Sequence, residues 1–346
     1  MRQAHACAIC GTVILVAEVA DDFDVAIAGG GIGALTAAVH SARMGRSTLV
    51  LGGRAPGGLL LSIERIDGVP GFPEGVAGYE LCPMLQEQAA DDGAEVRMAE
   101  LEGLEPAGEG WRLATSDGDV AARAVILATG ARLRTLGVEG EERLRGRGVS
   151  HCASCDAPLM RDRTVGVVGG GDSALQEALT LADAVGEVIV LHRGDALTAQ
   201  AAYREPALAQ PKISVRYDTV VEEVLGEDAV SGVRVRDANS GDTQELELGG
   251  LFVYVGLQPN SECVRDRLDL DDDGRVPTDA ALQTELSGVF AAGILRRGSL
   301  GQAAISAGEG AAAAKAAHRY LDDGSASKHE STSAATAARG NGGSHG

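Results

Sequence analysis

The chain has 346 residues, enough for two domains with a full core in each. Its 50 acidic and 30 basic side chains leave a net charge of −20, which repels phosphate backbones and anionic lipid and so excludes nucleic acid and membrane as partners. Aromatic residues are only 3%, replaced by alanine and glycine as suits tight α/β layers, and six cysteines are too few for a secreted disulfide scaffold, so a CxxC pair reads as redox chemistry in a reducing, cytoplasmic compartment.

Residues 1–21 read as an unstructured extension. Ala6 to Val16 is apolar after a single Arg2, but Glu18-Val19-Ala20 is a poor cleavage site and the run is too short to span a bilayer. Cys7 and Cys10 form a CxxC without a second pair to complete a metal site, and no metal is expected. From Asp24 to Ala28 the sequence predicts a short apolar strand, then the glycine run Gly29-Gly30-Gly31-Ile32-Gly33-Ala34, then a helix from Leu35 to about Met44. The spacing is GxGxxA. Gly29 serves the tight turn, Gly31 lets backbone approach a pyrophosphate, and Ala34 packs helix on strand. The phosphate sits on the helix N-terminus. A second strand, Ser47–Leu51, follows at the expected distance, but Gly52 and Gly53 stand where an acidic ribose ligand is usual.

Two turn-rich loops, 56–60 and 67–73, precede a helix from Tyr79 to Asp91. Strands are predicted around Ala94–Met98, Trp111–Thr115 and Val120–Ala122, and a buried strand over Ala124–Gly130 closes the first lobe. Next comes His151-Cys152-Ala153-Ser154-Cys155-Asp156. Cysteines at i and i+3 can close a disulfide and reopen it by thiol exchange, and Asp156 is placed to give or take the proton of that step. The strand–glycine–helix pattern then repeats. Thr164–Val168 is a strand, Gly169-Gly170-Gly171-Asp172-Ser173-Ala174 is again GxGxxA, and a helix to about Ala184 leads into the strand Glu187–Leu191. Two such units with correct flanks predict two dinucleotide sites. His192 and Arg193 stand where a ribose or 2′-phosphate would lie. Val215–Val221, Glu223–Leu225 and Val233–Val235 alternate like a small sheet, with Ser240-Gly241-Asp242 as a turn. Leu251–Gly256 is a buried strand, Gly288–Gly293 ends in Ala-Gly, and a helix runs from about Gln302 to Tyr320. Cys82 and Cys263 read as core thiols, and residues 323–346 as an unstructured tail.

From about Asp24 to Leu321 the chain resembles the low-molecular-weight thioredoxin reductases. The matching elements come in the family's order: Gly29 to Ala34, including Gly33; Gly57-Gly58; Pro70-Gly71-Phe72-Pro73; Ala128-Thr129-Gly130; Cys152 to Asp156; Gly169 to Ala174; His192-Arg193; Val255-Gly256 with Pro259-Asn260; Gly288 to Gly293; and Gln302-Ala303. The resemblance implies an α/β fold of two Rossmann-like three-layer dinucleotide-binding domains, the second inserted in the first. Residues 22–133 and 250–322 would bind FAD, and residues 134–249 would bind NAD(P)H and carry the CxxC. It further implies electron flow from NAD(P)H through FAD to Cys152–Cys155 and on to thioredoxin or a small disulfide. Cys155 would face the flavin, Cys152 would attack the substrate and Asp156 would be the acid/base, in a homodimer whose domains rotate between steps.

Several positions depart from that pattern. Ile294 replaces the Asp that bonds the flavin ribityl chain, Gly301 replaces an Arg, Gly68 an Asn and Leu59 a Gln. The basic cluster for the 2′-phosphate keeps His192 and Arg193, with Gly194 and Thr198 in the other two places. These departures keep two other readings open: a nicotinamide-independent flavoprotein, either a dithiol oxidase or a ferredoxin-fed reductase, and a degenerate flavoprotein without catalysis.

Overall fold

The computed structural model describes residues 21–340, with side chains over 22–324. The expected N-terminal extension lies outside the described residues except for Asp21, as do Cys7, Cys10 and residues 341–346. The chain divides into two compact units. One takes the residues up to Leu61, Arg65–Gly130 and those from Pro259 onward; the other takes Ala131–Gln258 with the short segment Ser62–Glu64.

The first unit is built on a sheet whose neighbours run Glu95–Arg97, Thr48–Leu51, Asp21–Ala28, Val120–Leu127, Gly110–Thr115 and Leu101–Ala107. Val289–Ala291 adds a parallel partner to the C-terminal half of Val120–Leu127. Val120–Leu127 is one strand; the two strands predicted over 120–122 and 124–130 are continuous because Arg123, its exposed residue, interrupts the apolar pattern but not the pairing with Asp21–Ala28. The Val25–Ala28 half of strand Asp21–Ala28 is buried on both faces. Val25 and Ile27 pack with Ala34, Ala37 and Ala38 of helix Ile32–Arg43 and with Ala313, Ala314 and Ala317 of the last helix, while Ala26 and Ala28 join Leu49, Leu51, Trp111 and Leu113. Side chains two residues apart share a face, so both layers can be filled only by a run without polar residues.

The last helix, Ala303–Gly340, continues in its backbone through the residues predicted as an unstructured tail from 323. That run is rich in alanine, the best helix former, and has no proline to stop it. Where this helix crosses Ile32–Arg43, a Cβ on Gly310 would collide with the Gly33 carbonyl oxygen, and a Cβ on Gly33 would lie 3.1 Å from the Ser306 carbonyl oxygen. Small residues on both helices let the backbones approach.

The second unit has a parallel sheet ordered Ile213–Arg216, Glu187–Leu191, Thr164–Val168, Leu251–Val253 and Val149–Ser150. Helices Asp172–Ala182 and Ala201–Ala209 cover one face through Ala174, Leu175, Ala178, Leu181 and Ala207. An antiparallel sheet of Thr219–Leu225, Gly232–Asp237 and Thr243–Glu247 covers the other through Val221, Val224, Val233 and Val235. Two expectations change here. The border expected at 249/250 falls at 258/259, because Leu251–Val253 pairs with Thr164–Val168 and so belongs to this sheet. The run predicted as one strand over 215–221 breaks at Tyr217-Asp218, where Asp218 takes φ +49° and the chain passes from one sheet to the other.

Candidate active site

The first glycine run is shaped by close packing. Gly29 has φ +126°, and a Cβ there would strike the Ala128 carbonyl; a Cβ on Gly30 would strike the Gly52 carbonyl. Gly31, by contrast, has nothing within 4 Å of where its Cβ would be. It is the N-cap of helix Ile32–Arg43 and provides no side-chain cap. The first helical bond runs from Leu35 N–H to the Gly31 carbonyl, so the earlier N–H groups have no partner within the helix. An open cradle at an uncapped helix start is what a pyrophosphate fits. Gly57 and Gly58 are brought to this loop: Gly57 N–H donates to the Gly30 carbonyl at 2.6 Å, and a Cβ on Gly58 would lie 3.7 Å from the Gly31 Cα. Thr129 and Gly130 clasp Asn260: Thr129 Oγ1 donates to the Asn260 carbonyl at 2.5 Å, Asn260 Nδ2 donates to the Thr129 carbonyl at 3.0 Å, and Asn260 N–H donates to the Gly130 carbonyl at 3.0 Å. Gly293, at φ +75°, donates its N–H to Glu309 Oε2 at 2.7 Å, and Arg296 donates to the other oxygen of that carboxylate at 2.5 Å. Gln302 and Ala303 stand at the start of the last helix.

Two of the departures meet in space. A Cβ on Gly301 would lie 2.8 Å from Ile294 Cδ1, so the isoleucine occupies the volume where a side chain at 301 would begin. The Ile294 carbonyl is held by Arg275 Nη1 at 2.7 Å.

The second glycine run repeats the first. Gly169 has φ +145°, with the Tyr254 carbonyl and Ala174 Cβ against it, and Gly171 caps helix Asp172–Ala182 without a side-chain bond. A Cβ on Gly171 would find only Thr198 Oγ1, at 3.8 Å. The residues expected around the nucleotide are tied into the loop itself. The His192 ring lies against Gly170, and its Nε2 bonds the Ala196 carbonyl at 2.9 Å. Asp172 accepts from Gln200 N–H at 2.8 Å and from Gln200 Nε2 at 2.6 Å. Ser173 and Arg193 are exposed, and Arg193 has no ion pair among the described residues.

Cys152 and Cys155 are joined by a disulfide, with Cα atoms 5.3 Å apart. Cys152 is the N-cap of a four-residue helix, Ala153–Asp156, and its Sγ accepts the Cys155 N–H at 3.3 Å. Cys155 is exposed; Cys152 and Asp156 are half-buried. The turn is anchored on both sides. His151 Nδ1 bonds the Val253 carbonyl at 2.8 Å, and Ala153 N–H donates to Glu177 Oε2 at 3.3 Å. Burial pushes the Glu177 carboxyl pKa up, more than the Ala153 N–H and the Tyr254 phenol pull it down.

Sequence reasoning quoted Gly30 and Asn260 within matching elements but gave them no role of their own, and it missed Glu309 and Glu177. Glu177 left a signal, since it sits on the apolar stripe of its helix, three residues after Ala174 and four before Leu181. Cys82 was assigned a plain core role, yet its thiol lies 3.6 Å from the Gly57 carbonyl, beneath the first glycine loop.

Residues 23–310 match the family model for pyridine nucleotide-disulphide oxidoreductases. The chain belongs to that family. Among its members, the thioredoxin reductase of Mycolicibacterium smegmatis is 41% identical over 299 residues, covering 86% of this chain and 96% of its own. The thioredoxin reductase of Treponema pallidum is 38% identical over 301 residues, covering 87% and 98%. Among solved structures, thioredoxin reductase from Lactococcus lactis superposes with a TM-score of 0.84 at 35% identity, over 87% of this chain and 99% of the other. That from T. acidophilum gives 0.82 at 31% identity, with the same coverage. The two Rossmann-like units are therefore the family's fold, and the chain is an oxidoreductase of the thioredoxin reductase type. No helix among the described residues is long and apolar enough to cross a membrane.

Proposed function

We propose that the chain reduces the disulfide of thioredoxin, or of a small disulfide, with electrons from a nicotinamide nucleotide. The observation that carries the reading is the closed Cys152–Cys155 disulfide, followed directly by Asp156, at the start of a short helix in a unit that also holds a GxGxxA loop. FAD, when bound, supplies two-electron transfer between nicotinamide and disulfide. The open cradle at Gly31, with Gly57, Gly58, Thr129 and Gly130 around it, holds its pyrophosphate side. Gly169, Gly171 and the uncapped start of helix Asp172–Ala182 hold the nicotinamide nucleotide. Cys152 attacks the substrate disulfide as a thiolate, forming a mixed disulfide that Cys155 resolves, and Asp156 gives and takes the proton. The exposed Tyr79 and Met84 on helix Gly78–Asp91 support a homodimer, and the redox pair supports a cytoplasmic location.

One observation favours NADH over NADPH. Arg193 is exposed at the expected 2′-phosphate position, where Gly194 and Thr198 carry no charge, while the His192 ring is engaged with Gly170 and Ala196. Each missing hydrogen bond to a charged group removes about 1.5–3 kcal/mol. Anaerobic titration of the purified protein with NADH and then with NADPH tests both points. Bleaching of a flavin band by either nucleotide is expected, with NADH at least as effective. A yellow protein bleached by a dithiol but by neither nucleotide would replace this reading with the nicotinamide-independent one. In Cys152→Ser or Cys155→Ser, bleaching should persist while disulfide reduction falls to background.

A further inference from the structure

The disulfide turn is held by a residue that belongs to the nucleotide loop's own helix. Glu177 lies on helix Asp172–Ala182, whose first turn follows Gly169-Gly170-Gly171, and its carboxylate accepts the N–H of Ala153 at 3.3 Å. Ala153 is fully buried and stands between Cys152 and Cys155. Its N–H belongs to the first turn of a helix capped by Cys152, where free N–H groups would otherwise stabilise a thiolate. We propose that Glu177 is a positioning residue of the redox turn, fixing Cys152 and Cys155 through the Ala153 N–H and keeping the reduced Cys152 thiol protonated to higher pH than a neutral side chain at 177 would. This rests on the reading that Cys152–Cys155 is the redox pair.

Two effects act in the same direction. The carboxylate removes one N–H donor from the thiolate's surroundings, and its own negative charge disfavours a second one beside it. The Glu64 carboxylate pushes the Glu177 pKa up, in the same sense as burial. The Tyr254 hydroxyl is buried and makes no hydrogen bond of normal geometry among the described residues, yet it stands close enough to Glu177 to lower that pKa. Tyr254 is itself pushed up, by burial first and then by the Glu177 and Asp156 carboxylates. His151 is tied by Nδ1 to the Val253 carbonyl at 2.8 Å.

The test is the pH dependence of Cys152 alkylation in the full-length holoprotein. Dithiothreitol first breaks the Cys152–Cys155 bond; the two sulfurs gain the two hydrogens that the reductant loses on closing to its cyclic disulfide. After anaerobic removal of the reductant, iodoacetamide labelling is followed on the 152–155 peptide by mass spectrometry. Glu177→Gln keeps an acceptor oxygen without charge, and Tyr254→Phe is a second variant that leaves the Glu177 carboxylate in place. A midpoint lower by about one pH unit is expected for Glu177→Gln. That is tenfold more thiolate at neutral pH and, with the lower nucleophilicity of a more acidic thiol, about threefold faster labelling. Tyr254→Phe raises the Glu177 pKa, so its profile shifts in the same direction below neutral pH. A residue that only braces the fold would change the melting temperature and leave the midpoint where it was. Superimposable profiles for wild type and Glu177→Gln, or for wild type and Tyr254→Phe should the first variant not fold, would overturn the proposal. A Cys152–Cys155 bond that dithiothreitol leaves intact in the folded protein would instead overturn the redox reading on which it rests.

Discussion

Cys263 and Cys82 carry the same thiol as Cys152 and Cys155 in a different environment. Burial pushes Cys263 up to about 11 and raises Cys82 as well. Thiolate, not thiol, is the nucleophile, so at pH 8 Cys263 presents about a hundredfold less of it than an ordinary cysteine. Peptide-resolved alkylation of the reduced, folded protein is therefore expected to label Cys155 and Cys152 long before Cys263. Equal labelling would count against the burial that raises the Cys263 thiol, which is half-buried. The same shift has a stability sign. The folded pKa lies above the unfolded one, so the contribution is complete below pH 9 and is lost as pH rises toward 11, where the unfolded chain releases the proton first. At this scale the departures from the family also change meaning. Ile294 and Gly301 look like two separate losses in the sequence, but the isoleucine covers the glycine, so the two substitutions form one packing exchange.

At the scale of elements, the crossing of Ile32–Arg43 with the last helix is set by Gly33 and Gly310. Glycine inside a helix costs about 0.5–1 kcal/mol against alanine, yet here a Cβ on Gly310 has no room against the Gly33 carbonyl. Gly310→Val is expected to destabilise by about 1–3 kcal/mol, as overpacking does, and to loosen the loop that begins the first helix. A thermal melt and flavin retention would check it, and an unchanged melting temperature would count against the close approach. Glycines such as Gly29, Gly31, Gly169 and Gly171 were legible in the sequence because their requirement is local: a positive φ, or space above one backbone atom. The place of Leu251–Val253 was not, since an apolar triplet fits either sheet and only pairing with Thr164–Val168 decides. The place of Glu177 on an apolar stripe was legible, but its role was hidden because its partner is a backbone N–H, which no side-chain pattern marks. The loop from His192 to Gln200 carries a third prediction. Gly194 is not in the left-handed region, and a Cβ there would meet His192 Nε2 at 3.0 Å, a displacement of a few tenths of an ångström. Gly194→Arg needs the His192 ring, held on the Ala196 carbonyl, to shift by that much, and it returns a cation beside Arg193. NADPH is expected to gain on NADH by about tenfold or more, from one charged hydrogen bond. Binding of 2′-phospho-AMP against AMP, measured calorimetrically, would show it.

Among the described residues, each buried apolar cluster lies within one unit. Val25, Ile27, Phe290 and Ala313 share a core in the first, as do Leu49, Leu113, Val276 and Leu295. Val165, Leu175, Val188 and Phe252 share one in the second, and Leu144, Val221, Val233 and Leu251 the other. The repeat of strand, glycine turn and helix announced two units in the sequence, but the extent of the inserted one depended on sheet partners distant in the chain. Its observed span, Ala131–Gln258, encloses a five-stranded parallel sheet with both faces covered by its own elements. Strands Ala131–Leu133 and Leu257–Pro259 pair with each other, so the two ends of the insert lie side by side. A segment whose ends meet, and whose two buried clusters are formed by its own described residues with only Ser62–Glu64 joining from outside, satisfies the conditions for independent folding. The fragment Ala131–Gln258 is expected to be monomeric, to melt cooperatively, and to close Cys152–Cys155 on oxidation. The turn should keep its anchors on Val253 and Glu177, because both lie within the fragment. Circular dichroism and a thiol count before and after reduction would test this. Fragments cut at the border read from sequence, 134–249, lose the strand Leu251–Val253 and with it the partner of both Thr164–Val168 and Val149–Ser150. They should melt without cooperativity, and a cooperative melt of 134–249 would show that Leu251–Val253 is dispensable.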